Sequence, residues 1–159
     1  MIEQTPINEE LLRELIQQSR IDGKASKLLM QGISEQVPGV SYVALQPGHK
    51  AYVIPHCHPN AKETFNHLRG ELELIIFYEE GRVRQKHILG VEGTKTLTVE
   101  KGLFHTLIAL TCNAAISTIY HGRYEKETFK VTPDWAVPED AGEARIERYM
   151  RKIQTAKLD

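Results

Sequence analysis

The chain reads as an all-β barrel or sandwich with a short α-helix at each end, and three observations lead there. Between about Ser41 and Tyr120, apolar residues come in short or alternating runs at spacings of about ten residues, the rhythm of strands closing on one another. Turn residues, glycine above all, separate those runs. Helical periodicity is confined to the two ends of the sequence.

The first element is NEELLRELIQQSR, in which Leu11, Leu12, Leu15 and Ile16 recur at helical spacing behind Asn8, a good N-cap; this predicts an amphipathic helix over 8–20. Eight strand-like segments follow over about 41–121: SYVALQPG, AYVIPHCHP, ETFNHLRG, ELELIIFYEEG, RVRQKHILG, KTLTVEKG, LFHTLIALTCN and AAISTIYHG. Glu79-Glu80-Gly81 suits a hairpin between two of these runs. Gly70, Gly93, Gly102 and Gly122 supply positions where a positive φ costs little. The remainder, 122–159, opens with an irregular tail in which Pro133, Pro138 and Gly142 hold off regular structure. It ends in a helix whose Ile146, Tyr149, Met150 and Ile153 fall on one face, suited to packing on the outside of the barrel. With no internal repeat and no separating linker, residues 1–159 are expected to form one domain.

Composition removes several classes of function. The formal charge of −1 arises from nearly balanced acids and bases, so no long-range field steers the chain onto nucleic acid or an anionic membrane. No apolar run approaches the roughly 20 residues that cross a bilayer. The start, MIEQTPINEELL, is acidic and polar where a signal peptide is basic and then apolar, which points to a cytoplasmic location. Cys57 and Cys112 are then expected as free thiols.

The stretch PHCHPNAKETFNHLRG, residues 55–70, carries the chemistry. On an extended chain His56 and His58 face the same side about 6.5 Å apart, while Cys57 faces the other. Pro55 and Pro59 bracket the pair and cannot donate ladder hydrogen bonds, which favours an edge or strand end near an opening. Glu63 follows the loop PNAK and begins the next strand, so a strand-loop-strand path returns its carboxylate beside the imidazoles. The pair alone is a weak signal, but with glutamate and glycine at their offsets the random expectation falls to roughly one in several hundred. The bland alternative is a set of hydrogen-bonded histidines at a barrel rim.

His56, His58, Glu63 and Gly70 resemble the first metal-binding motif of the cupin superfamily, His-x-His, four residues, Glu, six residues, Gly. Gly102-Leu103-Phe104-His105 is similar to its second motif, so the resemblance makes His105 the fourth ligand. It also implies a cupin double-stranded β-helix, a jelly-roll barrel, binding one divalent transition metal per chain. The chain departs from the pattern at Lys50, Glu100 and Ala109, none of them a ligand position. A narrower likeness rests on KETF at 62–65, the turn after LIIFYEEGRV, KGLFHTLIAL at 101–110 and the tail HGRYEKETFKVTPDWAVPEDAG. These resemble the WbuC-type cupin fold metalloproteins, small bacterial proteins associated with O-antigen (lipopolysaccharide) gene clusters. Ile54, Cys57 and Arg123 differ from what is common in that family.

Three imidazoles and a carboxylate suit Fe, Mn, Ni or Zn and leave two octahedral positions for water or substrate. Such an ion could polarise a sugar carbonyl beside a hydroxyl, the setting for isomerisation or epimerisation in polysaccharide biosynthesis. A base would be needed, and His67, Glu73 and Tyr124 are the candidates. Each has a bland counterpart: a core or hydrogen-bonded histidine, a solvated strand glutamate, and a tail-packing tyrosine like Trp135. His49 and His87 read as surface residues, His121 as a turn residue and Cys57 as a packed thiol. A dioxygenase and a non-catalytic module holding a small acidic ligand are the alternatives to a sugar enzyme. A small-molecule ligand and a homodimer complete the expectations.

Overall fold

A computed structural model describes residues 9–30, 39–122 and 127–159, and its two antiparallel sheets enclose the main core. In chain order the elements are α1 (Glu9–Asp22), β1 (Ser26–Met30), β2 (Gly39–Leu45), a 3₁₀ turn (His49–Ala51), β3 (Ala61–Arg69), β4 (Leu72–Phe77), β5 (Val83–Leu89), β6 (Thr96–Val99), β7 (His105–Ala109), β8 (Ala114–Gly122) and α2 (Glu143–Thr155). One sheet runs β1-β2-β8-β3-β6 and the other β5-β4-β7.

Alternation along each strand assigns the faces. Leu45 of β2, Phe65 of β3, Leu72, Leu74 and Ile76 of β4, Leu107 of β7 and Ile116 of β8 meet between the sheets. The intervening Ile75 and Phe77 of β4 face outward and are covered by Ile146, Met150 and Ile153 of α2. β4 reads as the near-continuous apolar run LELIIF because it is buried on both faces. Each of the three α2 side chains removes enough apolar surface to contribute about 1.5–3 kcal/mol. α1 lays Leu12, with Leu15 and Ile16 beside it, on Ala44 and Ala115 at the back of the larger sheet.

The chain corrects several local expectations. AYVIPHCHP is no ladder strand: it holds the 3₁₀ turn and then isolated bridges at His56 and Cys57, because Pro55 and Pro59 have no N–H with which to extend the pairing on either side. β1, SKLLM, carries no strand signal of its own: it shows no alternation and is defined by pairing with β2. α1 extends to Asp22, and Asn8 lies outside the described residues. Gly70 and Gly102 do adopt positive φ, 64° and 74°. Gly93 and Gly122 do not, and serve close approach instead: a Cβ there would lie 2.4 Å from the Ile88 carbonyl and 2.2 Å from that of Asn60. Trp135 closes the tail onto the β4–β5 hairpin, donating its indole N–H to the Glu79 carbonyl at 2.7 Å and packing edgewise against Phe104.

Candidate metal centre

The site begins with a backbone arrangement. His56 exchanges both main-chain hydrogen bonds with His105, at 3.1 and 2.9 Å, while Cys57 does the same with Val131 on the other edge, both at 2.9 Å. The His56 and His58 rings therefore leave one side of the segment and the Cys57 thiol the other. Gly102, in its left-handed turn, donates its N–H to the His58 carbonyl at 3.0 Å and leads the chain into β7, whose first residue is His105. Glu63 is the third residue of β3, held between Val99 of β6 and Tyr120 of β8. Its neighbours Lys62 and Thr64 face out and Phe65 faces the core, so Glu63 points inward.

One potential ligand atom from each of His56, His58, Glu63 and His105 falls within 4.8 Å of all the others. All four residues are less than a tenth exposed, Glu63 at 4%. Each imidazole is oriented by a main-chain carbonyl: His56 Nδ1 by Ile54 at 2.9 Å, His58 Nδ1 by Phe129 at 2.8 Å and His105 Nδ1 by Leu103 at 2.9 Å. A carbonyl only accepts, so each Nδ1 carries the proton and each neutral ring keeps its Nε2 lone pair unprotonated. The Nε2 atoms of His58 and His105 both stand 3.1 Å from Glu63 Oε2. The His58 contact lacks hydrogen-bond alignment, which leaves a buried Nε2 without a partner. Two lone pairs and a carboxylate oxygen converging in a buried site repel one another unless a proton or a metal ion lies among them. A divalent cation satisfies that donor set, and backbone-anchored histidines are the support that a metal requires.

Electrostatics follow from burial. Desolvation, with His105 and Lys130 adding to it, pulls His56 well below the ordinary histidine range, so it stays neutral and ready to coordinate. Burial alone would push Glu63 up, but the positive charge that His105 and His58 bring when protonated outweighs it and holds the carboxyl well below the usual carboxylate range, as a bound cation would in their place. Both shifts favour the protonation states that metal binding needs.

The proposed bases do not join this cluster. His67 shares the inward face of β3 with Glu63, but four residues of strand separate them by about 13 Å. Its Nε2 instead meets the Gly70 carbonyl at 2.6 Å in the β3–β4 turn. Glu73 lies on the opposite face of β4, toward α2: its strand neighbours Leu72 and Leu74 face the inter-sheet core, and burial there pushes its carboxyl up. Tyr124 lies outside the described residues. His121 turns outward to Thr64 Oγ1 at 3.1 Å, and His87 contacts Gln85 at 3.3 Å. His49 spends Nε2 on Glu143 at 3.5 Å and Nδ1 on Glu147 at 3.2 Å; these nitrogens point apart, so the group is a surface clasp on α2. Cys57 is buried with its thiol pushed up by desolvation, and both cysteines are free.

Four residues around the cluster escaped the sequence reading. Tyr120 stands opposite Glu63 across the β3–β8 ladder, with its ring 5.1 Å from that of His58. The Phe129 ring lies 4.6 Å from His58 and 4.8 Å from Tyr120. Lys27 of β1 brings its Nζ to 3.5 Å from the Tyr120 hydroxyl, and Lys130 follows Phe129. Tyr120 was visible as an alternate residue of AAISTIYHG, but only the register places it beside Glu63. The two lysines carry no local signal at all.

Among solved structures the chain is similar to an oxalate oxidase in complex with glycolate, at 18% identity and a TM-score of 0.54 over 68% of this chain and 54% of that one. It is similar as well to the capsular polysaccharide assembling protein CapF from Staphylococcus aureus, at 12% identity and a TM-score of 0.60 over 70% of this chain and 32% of that one. A third is KdgF from Halomonas sp., at 15% identity and a TM-score of 0.50 over 67% of this chain and 86% of that one. The chain thus spans about half the length of the first and a third of the second. At these identities the likeness concerns the fold, which is the cupin jelly roll. No curated protein sequence matches the chain. A family model does match residues 7–89, just over half of the chain, including His56, His58 and Glu63 but ending before His105. The chain is a cupin-fold protein and belongs to the family described as Domain of unknown function (DUF6016).

Proposed function

We propose that the chain is a metal-dependent enzyme acting on a small molecule, of the sugar or nucleotide-sugar isomerase or epimerase type, with His56, His58, Glu63 and His105 as ligands to one divalent transition metal. The observation that carries this reading is the set of three imidazoles, each fixed through Nδ1 by a main-chain carbonyl, gathered with the Glu63 carboxylate in one buried cluster. When bound, such an ion polarises a carbonyl and acidifies a neighbouring hydroxyl. Tyr120 and Phe129 wall the His58 side of the pocket and Phe65 the His105 side, keeping water from the ligands. With His67 and Glu73 elsewhere, the Tyr120 hydroxyl beside Lys27 Nζ takes over their assignment as the group that holds or moves a proton at the pocket. A place in O-antigen or other polysaccharide biosynthesis rests on the WbuC-type resemblance of the sequence.

Two measurements test the proposal. Metal analysis of untagged protein by mass spectrometry is expected to find about one transition metal per chain, lost in His58→Ala. The loaded protein is then incubated with hydroxy-carbonyl sugars in deuterated water and followed by proton NMR. Deuterium entering next to the carbonyl supports proton-transfer chemistry. Oxygen consumption without exchange makes the protein a dioxygenase, and neither signal, with metal bound, makes it a binding module.

A further inference from the structure

We infer that Lys27 and Lys130 form a cationic rim to the pocket that takes an anionic group, a carboxylate or a phosphate, at one end of a ligand whose other end meets the His56, His58, Glu63 and His105 cluster. The inference deepens the metal-site reading and rests on it.

Register puts Lys27 on the site's side of the sheet. Lys27 pairs with Val43, Val43 with Ile116 and Ile116 with His67, and paired residues share a face. Val43 and Ile116 belong to the inter-sheet core, so Lys27 projects from the inner face of the edge strand. Its Nζ reaches the Tyr120 hydroxyl at 3.5 Å and lies 5.8 Å from the centre of that ring. Tyr120 in turn stands directly opposite Glu63 and touches His58 with its edge. The chain thus runs lysine, tyrosine hydroxyl, metal cluster, within the span of one small molecule.

Lys130 arrives from the other direction. Phe129 gives its carbonyl to His58 and Val131 pairs with Cys57, so the intervening lysine is fixed to the wall of the site by bonds on both sides. Its ammonium is within electrostatic reach of Lys27, Glu139, Glu63 and His56. Burial pulls it below the ordinary lysine range and the neighbouring Lys27 adds to this, with Glu139 and Glu63 opposing. Among the described residues neither lysine has a carboxylate within salt-bridge distance. Two like charges gathered beside a pocket disfavour each other, and an anion between them reverses that cost. A loaded centre adds to the attraction, since three neutral imidazoles and one carboxylate leave a divalent ion with a net positive charge.

The test compares ligands that share a chelating end and differ at the other. Cobalt(II)-loaded protein is titrated with 2-hydroxybutyrate and malate, which present a methyl or a carboxylate, and with glycerate and 3-phosphoglycerate, which present a hydroxyl or a phosphate. Affinity is read from the cobalt absorption bands and by calorimetry. At least one charged member is expected to bind roughly tenfold or more tightly than its partner. Which pair shows it identifies carboxylate or phosphate. The double variant Lys27→Met, Lys130→Met is expected to lose that preference while keeping its cobalt content. Equal affinities within both pairs, a preference that survives in the double variant, or no binding of any of the four overturns the rim. Cobalt content is measured separately, so a chain that takes up no metal refutes the metal-site reading by itself. The same panel is then read on that chain by thermal shift, where a lysine-dependent preference for the charged member must still appear if the rim is real.

Discussion

Replacing Glu63 by Gln tests the centre most directly, because it keeps the shape of the side chain and removes the cluster's one anionic donor. Glu63 Oε2 lies 3.1 Å from Nε2 of both His58 and His105, at a side chain 5% exposed. Loss of a residue that merely orients a ligand costs about 10–100-fold in metal affinity, so loss of the charged donor itself should cost at least a hundredfold. At a free metal concentration about 100 times the wild-type dissociation constant, binding stabilises the native state by about 2.7 kcal/mol. For a domain of this size, 1 kcal/mol moves the melting temperature by about 2–4 °C, so metal should raise the wild-type midpoint by roughly 5–11 °C. In Glu63→Gln at the same concentration the ligand is at or below its dissociation constant, and the increment should shrink to about 0.4 kcal/mol or less, roughly 2 °C. The quantity to read by scanning calorimetry is the metal-dependent increment, since replacing a buried carboxylate changes the stability of the metal-free protein by itself. Glu73→Gln, on the far face of β4, serves as the control and should keep the full increment. A full increment in Glu63→Gln, or its loss in Glu73→Gln, would refute the assignment of the centre.

Other outcomes are expected from the same structure. His56 binds a proton far more weakly folded than unfolded, so below its ordinary value of 6.5 the unfolded state takes up more protons and stability is lost as pH falls toward the lowered folded value. Urea midpoints of metal-free protein at pH 7.5 and 5.0 should therefore differ less in His56→Gln than in the wild type; an equal difference sinks the idea. Met150→Ala should cost about 2–5 kcal/mol in urea unfolding while metal content is unchanged, because Met150 packs on the outer face of the smaller sheet. A thiol reagent should titrate one cysteine, the exposed Cys112, in native protein and both in denaturant; rapid reaction of two in native protein would contradict the burial of Cys57.

Much of the architecture was legible because strand and helix periods are local. LELIIF, the EEG turn and the apolar face of the final helix each declare themselves within a dozen residues, and each stands where the periodicity predicts it. The errors fell where pairing, not pattern, decides. SKLLM becomes a strand only against β2, and AYVIPHCHP fails to become one because its prolines cap the ladder at two residues. Glu73 carries no local clue to its face, because β4 is buried on both sides and only the fold sets it on the side away from the cluster.

The sequence by itself determined a β-rich chain with terminal helices and placed His56 and His58 on one side of an extended segment with Glu63 a short loop away, since a strand's period of two decides which side chains point together, while the cupin resemblance added His105. Only the tertiary structure decided what surrounds that set: the Phe129 carbonyl on His58, Tyr120 opposite Glu63, and the lysines of β1 and the tail beside them. Those residues lie dozens of positions from the motif, and their meeting is set by strand register and main-chain pairing, which no local pattern encodes.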